Sequence, residues 1–283
     1  MYGPQIFARC LEQQAIRDKY GNTWQYNSQS DRHSEAACWG VAFDLLQQSS
    51  TLRKHAREGK VIIGVNHPMT DYRTGREKFL DLVIARPATH TGGAGESFKD
   101  LVARYALSLT QAEQLVLDDL PDIEFGNVGS VHVALEAKAV MTKHVSSLPR
   151  LHDELAASEQ CVHGASEHAL AIAYVQINSS ATFAPSPSNR FTIDAQHPVV
   201  LRRNAQPLSV TRTLDKLAQL KRRSTVHESG FDGIGVTVID FENRGGPVDV
   251  VTAPPAPAPG SSFHYETMIV RMAGQYDSRF AGI

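Results

Sequence analysis

One apolar segment of the chain carries a carboxylate and an amine two positions apart. Residues 131–140 read Val-His-Val-Ala-Leu-Glu-Ala-Lys-Ala-Val, so Glu136 and Lys138 interrupt a run of aliphatic side chains. The run predicts a strand, in which successive side chains point to opposite faces. Glu136 and Lys138 then share one face. Burying either charge is costly without compensation, so this segment predicts a sheet strand whose charged face can perform chemistry.

The composition is that of a globular protein with one large domain or two small ones. The chain has 283 residues, of which 42% are hydrophobic and 20% charged, and its formal net charge is −2. No segment approaches the about 18 consecutive apolar residues of a membrane span. The first residues lack the apolar core of a secretory signal. Only three cysteines occur, an odd number that fits no zinc motif and is typical of a reducing compartment. We therefore expect a cytoplasmic protein with no membrane partner.

The charge balance bears on nucleic-acid binding. A protein dedicated to nonspecific binding is expected to be basic, which this chain is not. Local basic clusters do occur, at Arg202-Arg203 and between positions 212 and 223. The net charge is still compatible with an enzyme that has acidic residues at a metal site and basic residues along one cleft.

Hydrophobic periodicity predicts a mixed α/β order. A helix is expected at 34–57, followed by buried strands at 61–65 and 79–85 with a polar, turn-rich stretch between them. Further strands are expected at 131–142, 169–177 and 234–241, and helices at 148–160, 209–223 and 263–274. This order predicts a central sheet flanked by helices.

Residues 88–130 interrupt this order. Gly92-Gly93-Ala94-Gly95 indicates a mobile loop, and helical patterns follow at 96–106 and 110–119, where Thr110 and Glu113 form a plausible capping box. We interpret the segment as a helical insertion that loops out between two sheet strands.

The whole chain, 1–283, is interpreted as a single domain with its core at about 34–180 plus 209–241. A Pro-rich extended segment at 252–262 precedes the last helix.

A third charged group is needed beside Glu136 and Lys138 if they are to hold a metal. Asp81 is the only charged residue in the predicted strand 79–85. A second Glu-x-Lys occurs at Glu58-Gly59-Lys60, but it falls at a predicted helix–strand junction, where we expect both side chains to be solvated.

The arrangement resembles the PD-(D/E)xK nuclease superfamily. It has a carboxylate at the start of one strand and Glu-x-Lys within the next, with a helix before them and a helix and strand after them. Many type II restriction endonucleases have this fold. The phrases Leu80–Ile84 and Leu135–Thr142 also resemble restriction-endonuclease-like proteins of bacteria and their mobile elements.

The resemblance implies a restriction-endonuclease-like mixed sheet flanked by helices, and Mg²⁺-dependent hydrolysis of phosphodiester bonds in double-stranded DNA. It further implies a homodimer and a role in defence against foreign DNA. Asp81 and Glu136 would bind Mg²⁺, and Lys138 would orient or activate the attacking water and stabilise charge on the phosphate. The chemistry agrees, because a metal activates water, Mg²⁺ prefers carboxylate oxygens and a lysine offsets developing negative charge.

Two further acids compete for the metal site. Pro121-Asp122 matches the proline–aspartate motif literally and lies closer to Glu136 along the chain, although Ile123–Asn127 makes a poor strand. Strand quality favours Asp81. Glu35 lies on the apolar face of the first predicted helix, from which members of the superfamily often supply an acid, or it is a solvated glutamate in a first turn.

Lys143, His144 and Arg150 follow the Glu-x-Lys strand and are candidates for phosphate binding, with a solvated charged loop as the alternative. Two other functions stay open. One is a nonspecific, repair or mobile-element nuclease of the same fold. The other is a non-catalytic DNA-binding or assembly protein.

Overall fold

The computed structural model describes residues 1–88 and 95–283, so most of the predicted glycine loop, Gly92 to Ala94, lies outside the described residues. The helices are α1 (Gly3–Glu12), α2 (Arg32–Gln48), α3 (Ser50–Arg57), α4 (Leu101–Arg104), α5 (Gln111–Asp119), α6 (His144–Ala165), α7 (Leu208–Leu217) and α8 (Tyr265–Arg279). The strands are β1 (Ile16–Arg17), β2 (Thr23–Trp24), β3 (Ile62–Asp71), β4 (Arg76–Pro87), β5 (Val128–Val140), β6 (Leu170–Asn178), β7 (Thr182–Phe183), β8 (Arg202–Arg203), β9 (Gly233–Asp240) and β10 (Asp249–Val251).

Six strands form a mixed central sheet in the order β10-β9-β6-β5-β4-β3. Strands β3, β4 and β5 pair antiparallel, whereas β5, β6 and β9 pair parallel. The antiparallel β10 closes the far edge. The crossover from β5 to β6 runs through α6, as a parallel pair requires. The predicted α/β class, a central sheet flanked by helices, is confirmed.

Helices cover both faces of the sheet. The side chains of Leu82, Leu135 and Tyr174 belong to one hydrophobic cluster, which also includes residues of α1, α2 and α8. Val83 and Ala134 belong to a second cluster with residues of α6 and α7. Neighbouring residues of one strand thus enter opposite clusters, as the strand period requires.

The first half of the chain differs from the prediction in two places. The helix expected at 34–57 is two helices, α2 and α3, because the Ser49 hydroxyl accepts a hydrogen bond from the Leu52 N–H and caps a new helix. The polar stretch after residue 65 was predicted as a loop and is mostly strand. Backbone pairing between β3 and β4 continues to Asp71 and Arg76, so only a short turn joins the two strands.

The insertion between β4 and β5 contains the expected short helices, and the capping box of Thr110 and Glu113 is confirmed. It does not loop out from the body as predicted. Phe98, Leu101 and Leu117 belong to the hydrophobic cluster of α1 and α2. The Trp39 ring stacks on Phe98 at 5.0 Å, and its indole N–H donates to the Phe98 carbonyl at 3.1 Å. The apolar residues of the insertion therefore complete the core.

The second half follows the predicted order with shifted ends. Helix α6 begins earlier than expected and contains Pro149 as its sixth residue, where the ring removes the backbone hydrogen bond to the Val145 carbonyl. Strands β6 and β9 begin and end within a residue of the prediction, and α8 is longer than predicted. None of the helices in residues 1–88 and 95–283 is long and apolar enough to cross a membrane.

Candidate active site

Strands β4 and β5 separate at the point where both carry a carboxylate. Their pairing stops at Leu82 and Leu135, and Asp81 and Glu136 are the next residues on each side. Strand β3, which pairs with the other edge of β4, is also irregular next to Asp81. Asn66 has φ +47° and is skipped in the pairing of β3 with β4. The Asp81 carboxylate accepts a hydrogen bond of 2.7 Å from the Ala137 N–H. A backbone donor of β5 thus fixes the Asp81 side chain at the fork between the strands.

Glu136 and Lys138 lie side by side on β5, as the strand period predicts. The Lys138 Nζ lies 2.7 Å from Glu136 Oε1 and 3.7 Å from Glu154 Oε2 of α6. Glu136 is only 6% exposed. The Glu136 Oε2 atom is buried and has no hydrogen-bond partner among the described residues. A buried carboxylate oxygen without a donor is suited to a cation.

The protonation of these groups follows from burial and from one another's charge. Burial and the neighbouring Asp81 raise the pKa of Glu136 to about 7, against the lowering effect of Lys138. Burial also raises the pKa of Asp81, although the Ala137 N–H and Lys138 favour its charged form. Burial alone would lower the pKa of Lys138, but the carboxylates of Glu136, Asp81 and Glu154 outweigh it and raise that pKa. Lys138 is therefore a fixed cation at neutral pH.

The start of α2 closes one side of this group. The Ser34 hydroxyl donates to the Asp31 carbonyl at 2.9 Å and is close enough to Asp81 to favour its charged form, and the Cys38 Sγ lies 3.9 Å from Asp81 Oδ2. Glu35 is in the first turn of α2 and half-buried. Burial and the charges of Asp31 and Asp81 raise the pKa of Glu35, so it lies within electrostatic reach of the site. It stays a secondary candidate for a metal ligand.

The site opens into a cleft of about 960 Å³. Basic side chains come to this cleft from separate parts of the chain: Lys138, Lys143, Arg150, Arg190 and Arg202. The Arg150 Nε donates to Glu154 Oε1 at 2.6 Å, which links it to Lys138 through a shared carboxylate. The predicted phosphate contacts Lys143 and Arg150 thus line the cleft. Sequence patterns missed Arg190, which lies in a segment without periodicity, whereas Arg202 belongs to a basic pair visible in the sequence.

His144 does not reach the cleft. It is 2% exposed, and a ring nitrogen lies 2.9 Å from the Asn178 carbonyl oxygen at the end of β6. Burial lowers the pKa of His144, so the ring is neutral. Its role is to join the start of α6 to the sheet, which corrects the predicted phosphate contact.

Asp122 lies outside the group of acids. It is exposed, and its Oδ1 accepts hydrogen bonds from the backbone N–H groups of Lys99 and Ile123 within the insertion. Geometry therefore favours Asp81 as the partner of Glu136. The second Glu-x-Lys behaves as predicted, because Glu58 and Lys60 form a solvent-exposed ion pair of 2.9 Å at the end of α3.

Asp81 and Glu136 fit a hard divalent cation. Among the described residues, no three His, Cys, Asp or Glu side chains come together as a metal-holding group. Mg²⁺ does not need one, since it keeps several waters and binds through one or two carboxylates together with substrate phosphates. The Asp81 carboxylate and the Glu136 Oε2 atom, which has no hydrogen-bond partner in the described part of the chain, supply that number.

Comparison of the chain with known protein families, with curated proteins and with solved structures finds no match.

Proposed function

We propose that the protein is a Mg²⁺-dependent endonuclease of the PD-(D/E)xK type that hydrolyses phosphodiester bonds in double-stranded DNA. One observation carries the proposal. Asp81 and Glu136 adjoin the last paired residues of two antiparallel strands, and Lys138 lies 2.7 Å from Glu136 at the wall of a cleft that also has Lys143 and Arg150 in its lining.

The topology around the site supports a restriction-endonuclease-like fold. An antiparallel β3-β4-β5 meander carries the acids and the lysine, and α6 then leads to β6, which pairs parallel with β5. A helix, α2, precedes the meander and packs on it. This is the order on which the resemblance of the sequence rests.

Each residue has a chemical role in this proposal. Asp81 and Glu136 would hold Mg²⁺, with Glu35 as a further acid. When bound, the metal would lower the pKa of a water and neutralise a phosphate oxygen. Lys138, as a fixed cation, offsets the negative charge that develops on the phosphate. Lys143 and Arg150 bind flanking phosphates, which position the duplex but do not read its sequence.

Cutting both strands of a duplex needs two sites, and a two-fold dimer supplies them. We therefore propose a homodimer, and a type II restriction-like role in defence against foreign DNA as the biological setting. A nonspecific nuclease and a non-catalytic DNA-binding protein are the alternatives that the following experiment separates.

Purified protein is incubated with plasmid DNA in Mg²⁺ and, separately, in EDTA. We expect discrete fragments in Mg²⁺ alone; a smear indicates a nonspecific nuclease, and intact plasmid in both contradicts the proposal. Lys138→Ala should lower the cleavage rate by about 100-fold or more, because it removes a charge aimed at the transition state. Its matched control is Lys60→Ala, from the exposed Glu-x-Lys, which should cut at the wild-type rate.

The same assay tests the choice of acid. Asp81→Asn should abolish cleavage while Asp122→Asn retains it, because only Asp81 adjoins Glu136 at the fork of β4 and β5. The opposite result would move the metal site into the insertion.

A further inference from the structure

The distal half of the β3–β4 hairpin is an arm, residues 66–80, that begins beside Asp81. One face of this arm is fixed to the body. Met69 and Leu80 are buried in the cluster of α6. Asp71 packs on Gly164 of α6 so closely that a Cβ there would lie 2.3 Å from its carboxylate. The arm therefore has a defined position relative to the site.

The opposite face of the arm is exposed to solvent. Closer to the core, α2 and its cluster cover this face of β3 and β4 through Ile63 and Ile84. In the arm, Phe79 pairs with the exposed Pro68 and is 63% exposed. Tyr72 at the turn is 78% exposed. Two large aromatic side chains exposed on one short hairpin indicate a contact surface.

The arm is also basic. Arg73 and Arg76 are exposed at its end, and Lys78 is half-buried on the side of α6. The acidic residues of the arm are Asp71, which is buried in the turn, and Glu77. The exposed end therefore presents positive charge next to aromatic surface, which suits a polyanion that has both phosphates and stacked rings.

A groove connects the arm with the candidate active site. This groove, of about 850 Å³, lies between the arm and α6 and is lined by three basic side chains, Arg76, Lys78 and Arg150, and by three acidic ones, Glu77, Asp153 and Glu154. Arg150 lines the active-site cleft as well. Lys78 is close enough to Glu136 to favour the charged form of that carboxylate. A chain of phosphates that leaves the cleft therefore meets the arm next.

We propose that the hairpin arm binds the DNA duplex beside the scissile phosphate, with Arg73 and Arg76 on backbone phosphates and Tyr72 and Phe79 against sugars and base edges. A two-stranded β-ribbon fits the major groove of B-DNA. The inference rests on the proposed function for its substrate class, duplex DNA. It adds the structural element that binds the duplex outside the cleft.

Binding is measured apart from cleavage, by fluorescence anisotropy of a short labelled duplex in EDTA over a series of salt concentrations. Arg73→Ala/Arg76→Ala should bind about 10-fold more weakly at low salt and reduce the slope of log affinity against log salt by about 2, since each phosphate contact contributes about 0.9. The control Lys54→Ala/Arg57→Ala removes two positive charges from α3 and should bind as the wild type does. Equal affinity of the arm variant and the wild type overturns the proposal.

The aromatic residues have a separate test. Tyr72→Ser/Phe79→Ser should weaken binding without changing the salt slope, and light scattering should give the wild-type molar mass. Conversion of a dimer to a monomer by this variant would assign the exposed face of the arm to a second copy of the chain and overturn the proposal.

The two proposals can fail independently. Wild-type binding without Mg²⁺-dependent cleavage contradicts the nuclease but leaves the arm supported if its variants bind weakly. Cleavage with normal binding by the arm variants contradicts the arm alone. A wild-type protein that binds no duplex at low salt contradicts both.

Discussion

Glu136 is the residue at which the site conflicts most with stability. Its carboxylate is buried and lies near Asp81, and one of its oxygens has no hydrogen-bond partner within residues 1–88 and 95–283, so its charged form is disfavoured despite the ion pair with Lys138. A buried carboxylate that is not fully satisfied destabilises a fold. The presence of Glu136 on a central strand fits a role that needs its negative charge. The loss of stability that this charge causes can be measured.

Replacement of Glu136 by the isosteric Gln should stabilise the protein above neutral pH. The folded-state pKa of Glu136, about 7, is above the usual value of 4.5, so wild-type stability falls as pH rises from about 4.5 through about 7. The advantage of Glu136→Gln should grow over that window by on the order of 3 kcal/mol and be constant above it. Urea unfolding at a series of pH values measures it.

Glu58→Gln, at the exposed Glu-x-Lys, is the matched control and should gain nothing from alkaline pH. A stability difference between Glu136→Gln and the wild type that is the same at pH 5 and pH 8 would show that the Glu136 carboxyl is not raised in pKa.

The sequence predicts single residues well where the controlling interaction is local. Glu136 and Lys138 share a face because a strand has a period of two, and the structure confirms their contact. The choice between Asp81 and Asp122 depends on which strand pairs with β5 across the insertion, and a single sequence does not contain that pairing. His144 was misplaced for the same reason, because its partner is a carbonyl on β6.

At the scale of elements, a buried ion cluster joins the sheet to α6, α8 and the segment between α7 and β9. Asp232 accepts hydrogen bonds from Arg223 at 3.0 Å, from Arg279 of α8 at 3.0 Å and from the Ala171 N–H of β6 at 2.8 Å. His163 of α6 lies 3.4 Å from the same carboxylate. Burial alone would raise the pKa of Asp232, but these donors lower it to about 2.

Asp232→Asn should destabilise the protein by about 3–5 kcal/mol at neutral pH, because it leaves Arg223 buried beside a neutral group. The depressed pKa stabilises the fold above the usual value near 3.8, and this contribution is lost as pH falls toward 2. Chemical denaturation at pH 7 and pH 3 measures both effects. Asp240→Asn, at the exposed end of β9, is the control and should leave the midpoint unchanged.

Element boundaries were predictable only where they have local causes. The capping box that begins at Thr110 is visible in the sequence, and the structure confirms it. The division of the first long helix at Ser49 also involves Asp277 of α8, which accepts from the Ser49 hydroxyl at 2.5 Å and from the Thr51 N–H at 3.0 Å. Because this partner is more than two hundred positions away along the chain, helical periodicity alone predicted one continuous helix.

At the scale of the whole molecule, one sheet separates two hydrophobic clusters, and both depend on the same strands. The insertion contributes Phe98, Leu101 and Leu117 to the cluster that also contains α1 and α8. The predicted single domain implies that these parts unfold together. A separately folded insertion would instead unfold at its own denaturant concentration.

Phe98→Ala tests this. Phe98 is 1% exposed and stacks on Trp39, so its truncation should cost about 3–5 kcal/mol. If the chain is one cooperative unit, far-ultraviolet circular dichroism and tryptophan fluorescence should give coincident transitions in the wild type, and both should shift to lower urea in the variant. Leu115→Ala, at a 64% exposed position of the same insertion, should shift neither.

A fluorescence transition that moves while the circular dichroism transition stays in place would contradict a single domain. In that case Trp39 and the insertion would unfold apart from the sheet that carries Asp81 and Glu136.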